Sequence, residues 1–511
     1  MSAQSHKGLK TRREFLRLAG IAAGATALAA CATPTPQVIK ETVVVEKPVE
    51  KVVKETVAVE VTKVVEKVVK ETVPVEVTKV VEKVAVVTPT PYPLPPVKLP
   101  TAPVVTPAPP QPIQLFFWDW YGRLVWHNQD LKQVQVDIWN QANPNILVCY
   151  LPSVGTKEKV LASVAAGTPP DLLLTDPPTD YVYRGALESL QPFADQGGHP
   201  FFKKDIYPGV WEAMEFNGQL YAVHKVVNNA GLYYNADLFR QAGLDPDKPP
   251  KTLADVEEAA AKIHKTDSKG NIEILGFSPW LNIAGIWGTW AQAFGAKLWD
   301  PDNKKVTFDE PASIRALQWQ VEYANKYGGF QKFMEFNDTL AGMDPFGSGR
   351  VGLYVTGPWQ IGIMQDTYPN INYRTTTMPV PEGGRGGAWL GGSWLVMPKG
   401  GKRRKEAWEF LKYYCGREAQ IYEAEQGIGF SIFPEDNAKS EWFNSLDLIQ
   451  PFLQDLPKCW PIPLIPTVSH AFFTAFNPMV EEALRGKRTP EDAMKEATRL
   501  AQAEVDRFIK G

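Results

Sequence analysis

The chain has 511 residues, which as a prior is enough for about three domains, and its 54 Lys and Arg against 57 Asp and Glu give a formal net charge of −3. A near-neutral chain without a basic stripe argues against a nucleic-acid partner. The four cysteines are too few for a disulfide framework, and their spacing fits no tetrahedral zinc site. All 16 Trp lie after Pro112, so the first 112 residues have little from which to build a core.

Residues 1–30 have the order of an export signal. A basic start leads to Arg12-Arg13 and then Phe15-Leu16, and a run of small apolar residues too short to span a membrane follows. This order resembles a twin-arginine signal peptide, and Leu28-Ala29-Ala30-Cys31 resembles the lipobox of bacterial lipoproteins. The resemblance implies that Cys31 receives a lipid and anchors the mature protein to the outer face of the cell membrane. The alternative is a short cytosolic amphipathic helix with an incidental cysteine.

Residues 31–112 comprise that cysteine and a low-complexity spacer. The sequence of residues 49–57 recurs at 65–73, a period of 16, and ten Lys balance nine Glu over the spacer. Eleven of the 25 residues from 88 to 112 are prolines, which favours a stiff, extended chain. With almost no aromatic residues, the spacer cannot offset the entropy that ordering would cost. We therefore expect a tether that supplies reach and buries no surface of the globular head.

The head, residues 113–511, is acidic: the signal carries +4 and the spacer +1, which leaves −8 for the head. In chain order, apolar runs at 113–118, 146–151 and 171–174 predict strands, and helical patterns at 131–140 and 157–166 separate them. This alternation predicts a parallel sheet with helices on its faces. Further along, Thr252 and Thr489-Pro490 predict the starts of two amphipathic helices.

Five short motifs follow one another along the head in a fixed order. They are Ala165-Ala166-Gly167-Thr168-Pro169-Pro170-Asp171, Asn217-Gly218-Gln219-Leu220-Tyr221 followed by Leu232-Tyr233-Tyr234-Asn235, Pro249-Pro250-Lys251-Thr252, Phe346-Gly347-Ser348-Gly349 followed by Gly357-Pro358-Trp359, and Met397-Pro398-Lys399-Gly400 followed by Ala407-Trp408-Glu409-Phe410-Leu411. In order and spacing, the head resembles the family 1 extracellular solute-binding proteins of ABC importers, which include maltose-binding protein. His224 stands where the family pattern has proline, and Leu253 where it has Trp.

The resemblance implies an α/β fold of two lobes, joined by strands that cross between them, with a ligand cleft between the lobes. One lobe is expected to hold 113–225 and 375–427, and the other 226–374 and 428–511. Such a cleft closes on its ligand by hinge bending. The implied function is an extracytoplasmic receptor, monomeric in its head, that captures a sugar or oligosaccharide and delivers it to the permease subunits of an ABC importer.

The sequence supplies no sign of catalysis. It has no HExxH, GxSxG, CxxC or GxxxxGK[ST] motif. The glycine cluster at 383–387 lacks the strand-then-helix setting of a dinucleotide loop and is interpreted as a flexible loop. Asp300-Pro301-Asp302-Asn303 lacks the Gly and Glu of an EF-hand and predicts a hairpin turn. We therefore expect a binding protein that needs no cofactor and no metal.

Sugar sites pair flat aromatic rings with carboxylates and amides, because sugars present C–H faces and a girdle of hydroxyls. The resemblance, together with the rule that loops after parallel strands line a crevice, selects the candidate ligand-binding residues Trp118, Asp119, Trp120, Asp176, Asn228, Trp280, Trp287, Trp359, Trp389 and Ser393. Asp176 suits a helix cap or turn equally well.

Two other functional classes stay open. Because a fold does not fix a ligand, the same fold would also serve a receptor for a peptide, a polyamine or a polyol. A secreted glycoside hydrolase would likewise place Trp and paired carboxylates in a groove. An oxidising envelope would allow one disulfide among Cys149, Cys415 and Cys459.

Overall fold

The computed structural model describes residues 98–105, 113–121, 125–126 and 129–510. The predicted signal, the lipobox cysteine Cys31 and most of the predicted tether lie outside the described residues. Within the described ranges, no helix combines the length and apolarity that a membrane crossing requires.

The strands form two mixed sheets and three short hairpins. In chain order the strands are β1 (Ile113–Asp119), β2 (Val125–Trp126), β3 (Gln129–Asp130), β4 (Ile146–Leu151), β5 (Leu172–Thr175), β6 (Glu215–Phe216), β7 (Gln219–Leu220), β8 (Ala222–Asn229), β9 (Gly231–Asn235), β10 (Lys265–Thr266), β11 (Ile272–Phe277), β12 (Leu298–Asp300), β13 (Lys305–Thr307), β14 (Val351–Thr356), β15 (Tyr373–Thr377), β16 (Trp389–Val396) and β17 (Trp460–Pro461). The first sheet has the order β17-β16-β5-β1-β4, with β8 also on β16, and the second has the order β10-β11-β14-β9-β15. Each sheet is the centre of one lobe.

Helices pack around these sheets. The α-helices are Leu131–Ala142, Lys157–Ala165, Thr179–Tyr183, Gln191–Ala194, Pro208–Glu212, Ala236–Gln241, Leu253–Ile263, Thr289–Ala293, Pro311–Lys326, Phe330–Asp338, Trp359–Thr367, Arg404–Tyr414, Arg417–Glu423, Pro434–Lys439, Glu441–Asn444, Gln450–Asp455, Val468–His470, Asn477–Leu484 and Pro490–Lys510. Two π-helical turns, Ala424–Ile428 and Ala471–Phe476, join helices in the last third of the chain.

The first lobe follows the predicted alternation. β1 pairs in parallel with both β4 and β5, which confirms the parallel arrangement predicted for these three strands. The sheet as a whole is mixed, because β16 pairs antiparallel with β5 and with β8. Between β1 and β4, the Asp130 carboxylate caps the helix Leu131–Ala142 by accepting from the backbone N–H groups of Lys132 and Gln133. This helix buries Val136 and Trp139 completely against the sheet. The core of the lobe therefore lies between β1, its neighbours and this helix.

In the second lobe, the predicted helix start at Thr252 is confirmed. The Thr252 hydroxyl accepts from the backbone N–H of Asp255, and the Asp255 carboxylate accepts from that of Thr252, so the two residues form a capping box. The helix buries Val256, Ala260 and Ile263 beneath the second sheet. The predicted turn at Asp300 is also present, since Asp300 closes the hairpin of β12 and β13.

Three described segments pass between the lobes, and the sheets put the crossings a few residues later than predicted. β8 stays in the first sheet as far as Asn229, and β15 stays in the second as far as Thr377. In the third crossing Phe430 bridges to Val227 of β8. β17 lies within residues 428–511, which were assigned to the second lobe, but it pairs with β16 of the first sheet. The predicted boundaries at 225, 374 and 427 are therefore too early, because backbone pairing within a lobe continues past each of them.

Two further expectations need correction. Residues 98–105, which we name the strap, contact the first lobe, so the expectation that the tether buries no surface of the head is wrong for its last described part. The glycine cluster is packed: a Cβ on Gly384 would lie 2.5 Å from the carbonyl oxygen of Ala293, and one on Gly387 would lie 2.3 Å from that of Lys458. Close backbone contacts, rather than flexibility, are what the glycines at 384 and 387 permit. Cys149, Cys415 and Cys459 are free thiols.

Candidate ligand-binding cleft

The cleft lies where the carboxyl ends of parallel strands in the two lobes meet the crossings. In the first sheet β1 and β5 end at Asp119 and Thr175, and in the second sheet β11 and β14 end at Phe277 and Thr356. Loops at this end of parallel strands line ligand crevices in open α/β sheets. Side chains at these edges are therefore placed to line the cleft.

Asp176 lies at a junction of three segments in the first lobe. The Tyr121 hydroxyl, in the loop after β1, donates to Oδ1 of Asp176 and lies 3.4 Å from the carbonyl oxygen of Gly392 in β16. Burial raises the pKa of the Asp176 carboxyl, and the hydrogen bond from Tyr121 opposes that rise. Asp176 is therefore held at the cleft edge as a partly buried acceptor. Tyr121 was not among the predicted residues, although it directly follows Trp120.

The ladder between β8 and β16 brings Asn228, Trp389 and Ser393 together. Asn228 lies opposite Gly391, and Trp389 and Ser393 flank Gly391 on the same face of β16. The Trp389 ring folds over Gly391, because a Cβ there would lie 1.9 Å from the indole. The sequence-predicted trio thus forms one surface on a face of the crossing strands.

That surface contains a buried donor and a buried acceptor without partners. Nε1 of Trp389 and Oδ1 of Asn228 are both shielded from solvent, and neither makes a hydrogen bond to any described residue. An unpaired buried polar atom costs about 1–3 kcal/mol. One N–H and one carbonyl oxygen on the same face form a natural recognition pair for a hydroxyl group, which accepts one hydrogen bond and donates another.

Trp359 lies on the second-lobe side. It begins the helix Trp359–Thr367 directly after Gly357-Pro358, where Thr356 pairs with Gly231 at the end of the second sheet. Its partly exposed ring covers Gly357, whose carbonyl oxygen accepts from the Tyr233 hydroxyl at 2.8 Å. The helix packs against the crossing turn Ala424–Ile428. Trp359 is therefore fixed at the edge where the second lobe meets a crossing.

Two residues that sequence reasoning missed lie at the same edge of the second lobe. Nδ2 of Asn282, in the loop after β11, donates to the hydroxyls of Tyr354 and Thr356, each at 3.0 Å. Phe473 is 52% exposed and packs edge-on against Trp287, with ring centroids 4.9 Å apart. It follows the turn Val468–His470, which contacts the helix Thr179–Tyr183 of the first lobe. The sequence does not single out Phe473 as an exposed residue, because the adjacent residue Phe472 is of the same type and is buried.

Asp119 is enclosed within the first lobe and has a structural role. The side chain is fully buried, and Oδ2 accepts from Lys132 Nζ and from the Tyr150 hydroxyl, both at 2.6 Å. Burial raises the pKa of the Asp119 carboxyl, and the Lys132 ammonium opposes the rise. A carboxylate enclosed in this way holds the end of β1 in place and does not present itself to a ligand.

Three predicted tryptophans pack inside the lobes instead of facing the cleft. The Lys159 ammonium lies over the Trp118 ring, 4.7 Å from the ring centre, and Trp118 packs against the helix Lys157–Ala165. Trp280 packs edge-on against Phe333 at 4.8 Å inside the second lobe. Trp287 is only 7% exposed and serves as a support for Phe473. Trp120 remains available at the first-lobe edge, since it is 40% exposed.

The cleft offers hydrogen-bonding and aromatic surfaces but no described metal cage. No group of three or more His, Cys, Asp or Glu side chains in the part of the chain that the structure describes is arranged to hold a metal ion. The chemistry available at the described surface is recognition of polar, hydroxyl-bearing groups against aromatic rings.

Comparison with known proteins agrees with this geometry. Residues 126–421 match the family model described as bacterial extracellular solute-binding protein. A binding protein of Brucella abortus (strain 2308) is 24% identical over 369 residues, 71% of this chain and 86% of its own. The maltooligosaccharide ABC transporter solute-binding lipoprotein of Streptococcus pneumoniae (strain ATCC BAA-255 / R6) is 24% identical over 57% of this chain and 66% of its own. The solved structure of CpMnBP1 with mannotriose bound is 29% identical, with a TM-score of 0.67 over 76% of this chain and 100% of its own. Because the family model spans more than half of its residues, the chain belongs to the bacterial extracellular solute-binding proteins.

Proposed function

We propose that this protein is the extracytoplasmic receptor of an ABC importer and that it captures an oligosaccharide in the cleft between its lobes. The observation that carries the proposal is the pair of unpartnered buried atoms, Nε1 of Trp389 and Oδ1 of Asn228, on one face of the crossing strands. A sugar hydroxyl would accept from the first and donate to the second, which would satisfy both groups together.

The other residues at the cleft suit the same chemistry. The Trp359 ring offers an apolar platform for the C–H face of a sugar, and its position on a fixed helix start lowers the entropy lost on binding. Asp176 provides a carboxylate oxygen for further hydroxyls. The exposed ring of Phe473 would extend the aromatic surface along a ligand of more than one sugar unit.

The relatives narrow the choice of sugars to test. CpMnBP1 is solved with mannotriose and also with mannobiose bound, and the pneumococcal relative is a maltooligosaccharide receptor. We therefore propose a linear oligosaccharide of two to four hexose units as the ligand class, with manno-oligosaccharides as the first candidates.

A thermal-shift panel of manno- and malto-oligosaccharides, followed by calorimetric titration, tests this function. A sugar at about one hundred times its dissociation constant should stabilise the protein by about 2.7 kcal/mol. A panel in which no sugar shifts the melting temperature, while a peptide or polyamine does, would assign the cleft to another solute. Chromatography of the incubated sugars is the control for hydrolysis, since shortened products would indicate an enzyme.

The anchor and the delivery step are parts of the same proposal. Cys31 is proposed to carry the lipid, so Cys31→Ser should move the protein from the membrane fraction to the soluble fraction. Cys149→Ser, at an exposed thiol in β4, is the matched control and should stay with the membrane. Delivery to permease subunits predicts that the sugar-loaded protein stimulates ATP hydrolysis by its importer in vesicles, and that the sugar-free protein does so less.

A further inference from the structure

The strap, residues 98–105, lies against the first lobe through contacts at two places. Near its start, the backbone N–H and the hydroxyl of Thr101 both donate to Oε2 of Glu418, at 3.0 and 2.6 Å. Glu418 belongs to the helix Arg417–Glu423. The hydrogen bonds from Thr101, more than the charge of Lys98, lower the pKa of the Glu418 carboxyl. The acceptor at this end is therefore an ionised carboxylate.

At its other end, the strap is held by one amide. Nδ2 of Asn143 donates to the carbonyl oxygen of Pro103 at 2.8 Å, and Oδ1 of Asn143 accepts from the backbone N–H of Val105 at 2.6 Å. Asn143 is itself 1% exposed and follows the helix Leu131–Ala142, whose Trp139 carbonyl its amide also reaches. A buried amide that contacts the backbone at two alternate residues recognises an extended peptide in a fixed register.

Burial along the strap supports the same register. Pro100 is buried, and Ala102 and Val105 pack against the core of the head, whereas Val104 is 81% exposed. Proline restricts the unbound chain to extended conformations, so ordering this segment costs less entropy than ordering a flexible one. The strap therefore binds as a preorganised peptide with one face toward the lobe.

We propose that the first lobe contains a peptide-binding groove, formed around Asn143 and Glu418, whose occupant is the strap of the same chain. The chain is thereby fixed to the first lobe from Pro100 and Thr101 onward, well before the head begins at residue 113. The groove lies on the lobe side of the hinge, because the helix that carries Glu418 ends at Glu423 and leads directly into the crossing turn Ala424–Ile428.

If Cys31 is anchored, the first lobe is the lobe that the membrane-linked chain holds, and the second lobe is the one that moves when the cleft closes. The chain from Cys31 to the strap is about 67 residues, which spans at most about 240 Å. The groove itself depends neither on the anchor nor on the sugar.

Pulsed electron–electron distance measurement on the full-length chain tests the groove. In a Cys31→Ser and Cys149→Ser background, spin labels are placed at Val104, on the strap, and at Asp137, on the exposed side of the helix Leu131–Ala142. We expect one narrow distance distribution. A broad distribution in this otherwise unaltered chain would overturn the proposal.

Asn143→Ala and Asn140→Ala form a matched pair of variants. Asn140 lies one turn earlier and holds the backbone of Val148, within the lobe, through the same two kinds of hydrogen bond, at 3.1 and 2.7 Å. We expect Asn143→Ala to broaden the distribution and to speed exchange of the Val105 amide by about tenfold or more. We expect Asn140→Ala to leave the strap in place. Equal broadening by both variants would attribute the effect to general loss of stability and would refute the groove.

Dilution with unlabelled chain distinguishes the strap of the same molecule from that of a neighbour. A narrow distance that survives tenfold dilution supports an intramolecular strap. A distance that disappears would show exchange between copies and would overturn the assignment of the occupant. Because sugar affinity should be unchanged in Asn143→Ala, failure of the groove and failure of the proposed sugar site are separable.

Discussion

Two neighbouring asparagines at the end of β8 provide a sharp test of the cleft. Asn228 and Asn229 point to opposite faces of the strand, because side chains alternate along it. Oδ1 of Asn228 has no partner among the described residues, whereas Nδ2 of Asn229 donates to the carbonyl oxygen of Phe452 at 2.9 Å. Replacing each with leucine, which has nearly the same shape, should therefore have different effects.

Asn228→Leu removes a buried acceptor that has no partner among the described residues, and this atom is also the proposed acceptor for a sugar hydroxyl. Relief of that burial should raise the free energy of unfolding of the ligand-free protein by roughly 1 kcal/mol. Loss of one hydrogen bond worth about 1.4 kcal/mol should weaken sugar binding about tenfold. Stability and affinity should thus change in opposite senses, which is uncommon for a core substitution.

Asn229→Leu is the control. It breaks the bond to the Phe452 carbonyl and should lower the free energy of unfolding by about 1 kcal/mol, although it too removes an unpartnered oxygen. Its sugar affinity should stay within about twofold of the parent, since the side chain lies on the face of β8 opposite to Asn228 and Trp389. Urea denaturation and calorimetric titration of both variants decide the matter. An Asn228→Leu protein that loses stability and keeps full affinity would refute the placement of the ligand on this face.

Three further predictions concern the aromatic platform, the glycine loop and the buried histidine of β8. Trp359→Ala should raise the dissociation constant for the sugar by nearly two decades, because about 100 Å² of lost contact at roughly 25 cal/mol/Å² is about 2.5 kcal/mol. Calorimetric titration measures this change. In thermal unfolding, Trp359→Ala should lose far less stability than the control Trp139→Ala, whose ring is fully buried. Gly387→Ala should lower the melting temperature clearly, because φ at Gly387 is 86° and the new Cβ would meet the Lys458 carbonyl. Gly386→Ala is the control and should be nearly neutral, since there is open space around that position. Equal melting temperatures for the two variants would contradict the packed-loop interpretation. Burial lowers the pKa of His224 from 6.5 to about 3, so below pH 6.5 the unfolded chain binds a proton at this residue that the folded chain does not. The free energy of unfolding should therefore fall as the pH drops below 6.5, by up to about 1.4 kcal/mol per pH unit. Urea denaturation at pH 7 and pH 5 should show a smaller loss in His224→Leu than in the parent.

The parts of the fold that sequence reasoning predicted are those fixed by nearby residues. β4 extends over the predicted residues 146–151, because an unbroken apolar run bounded by turns specifies a buried strand. The helix start at Thr252 was predicted, and its cap depends on Asp255, only three residues away. The two-lobed arrangement followed from motif order, which records a whole fold and not a local preference.

The site was harder to predict, because the fate of a side chain at a strand end depends on distant partners. Asp119 and Asp176 both follow apolar strands and were equally good candidates by position. Lys132 and Tyr150 enclose Asp119, whereas Tyr121 holds Asp176 at the cleft edge. The glycine cluster looked flexible for the same reason, since its contact at Lys458 lies 71 residues after Gly387 in the chain.

The face that Asn228 presents depends on a bulge in β8, and the bulge depends on a buried charge. Val226 pairs with Ser393 and His224 pairs with Trp394, so Lys225 is the extra residue of the bulge. Its ammonium is fully buried and donates to the Gln135 amide oxygen at 2.7 Å, and it lies 3.3 Å from the Glu423 carboxylate. Burial lowers the pKa of Lys225, and the Glu423 charge opposes that shift.

An inserted residue reverses which face each later side chain of a strand occupies. The ion pair inside the first lobe therefore helps to set the orientation of Asn228 three residues further on, and with it the acceptor that faces Trp389. Glu423 also ends the helix that leads into the third crossing, so the same pair ties the first crossing to the third within the first lobe. If the cleft closes by hinge bending, we expect the first crossing to bend beyond this tie, at 229–231. Phe430 exchanges two backbone hydrogen bonds with Val227, so the chain as far as Phe430 stays with the first lobe, together with the binding face.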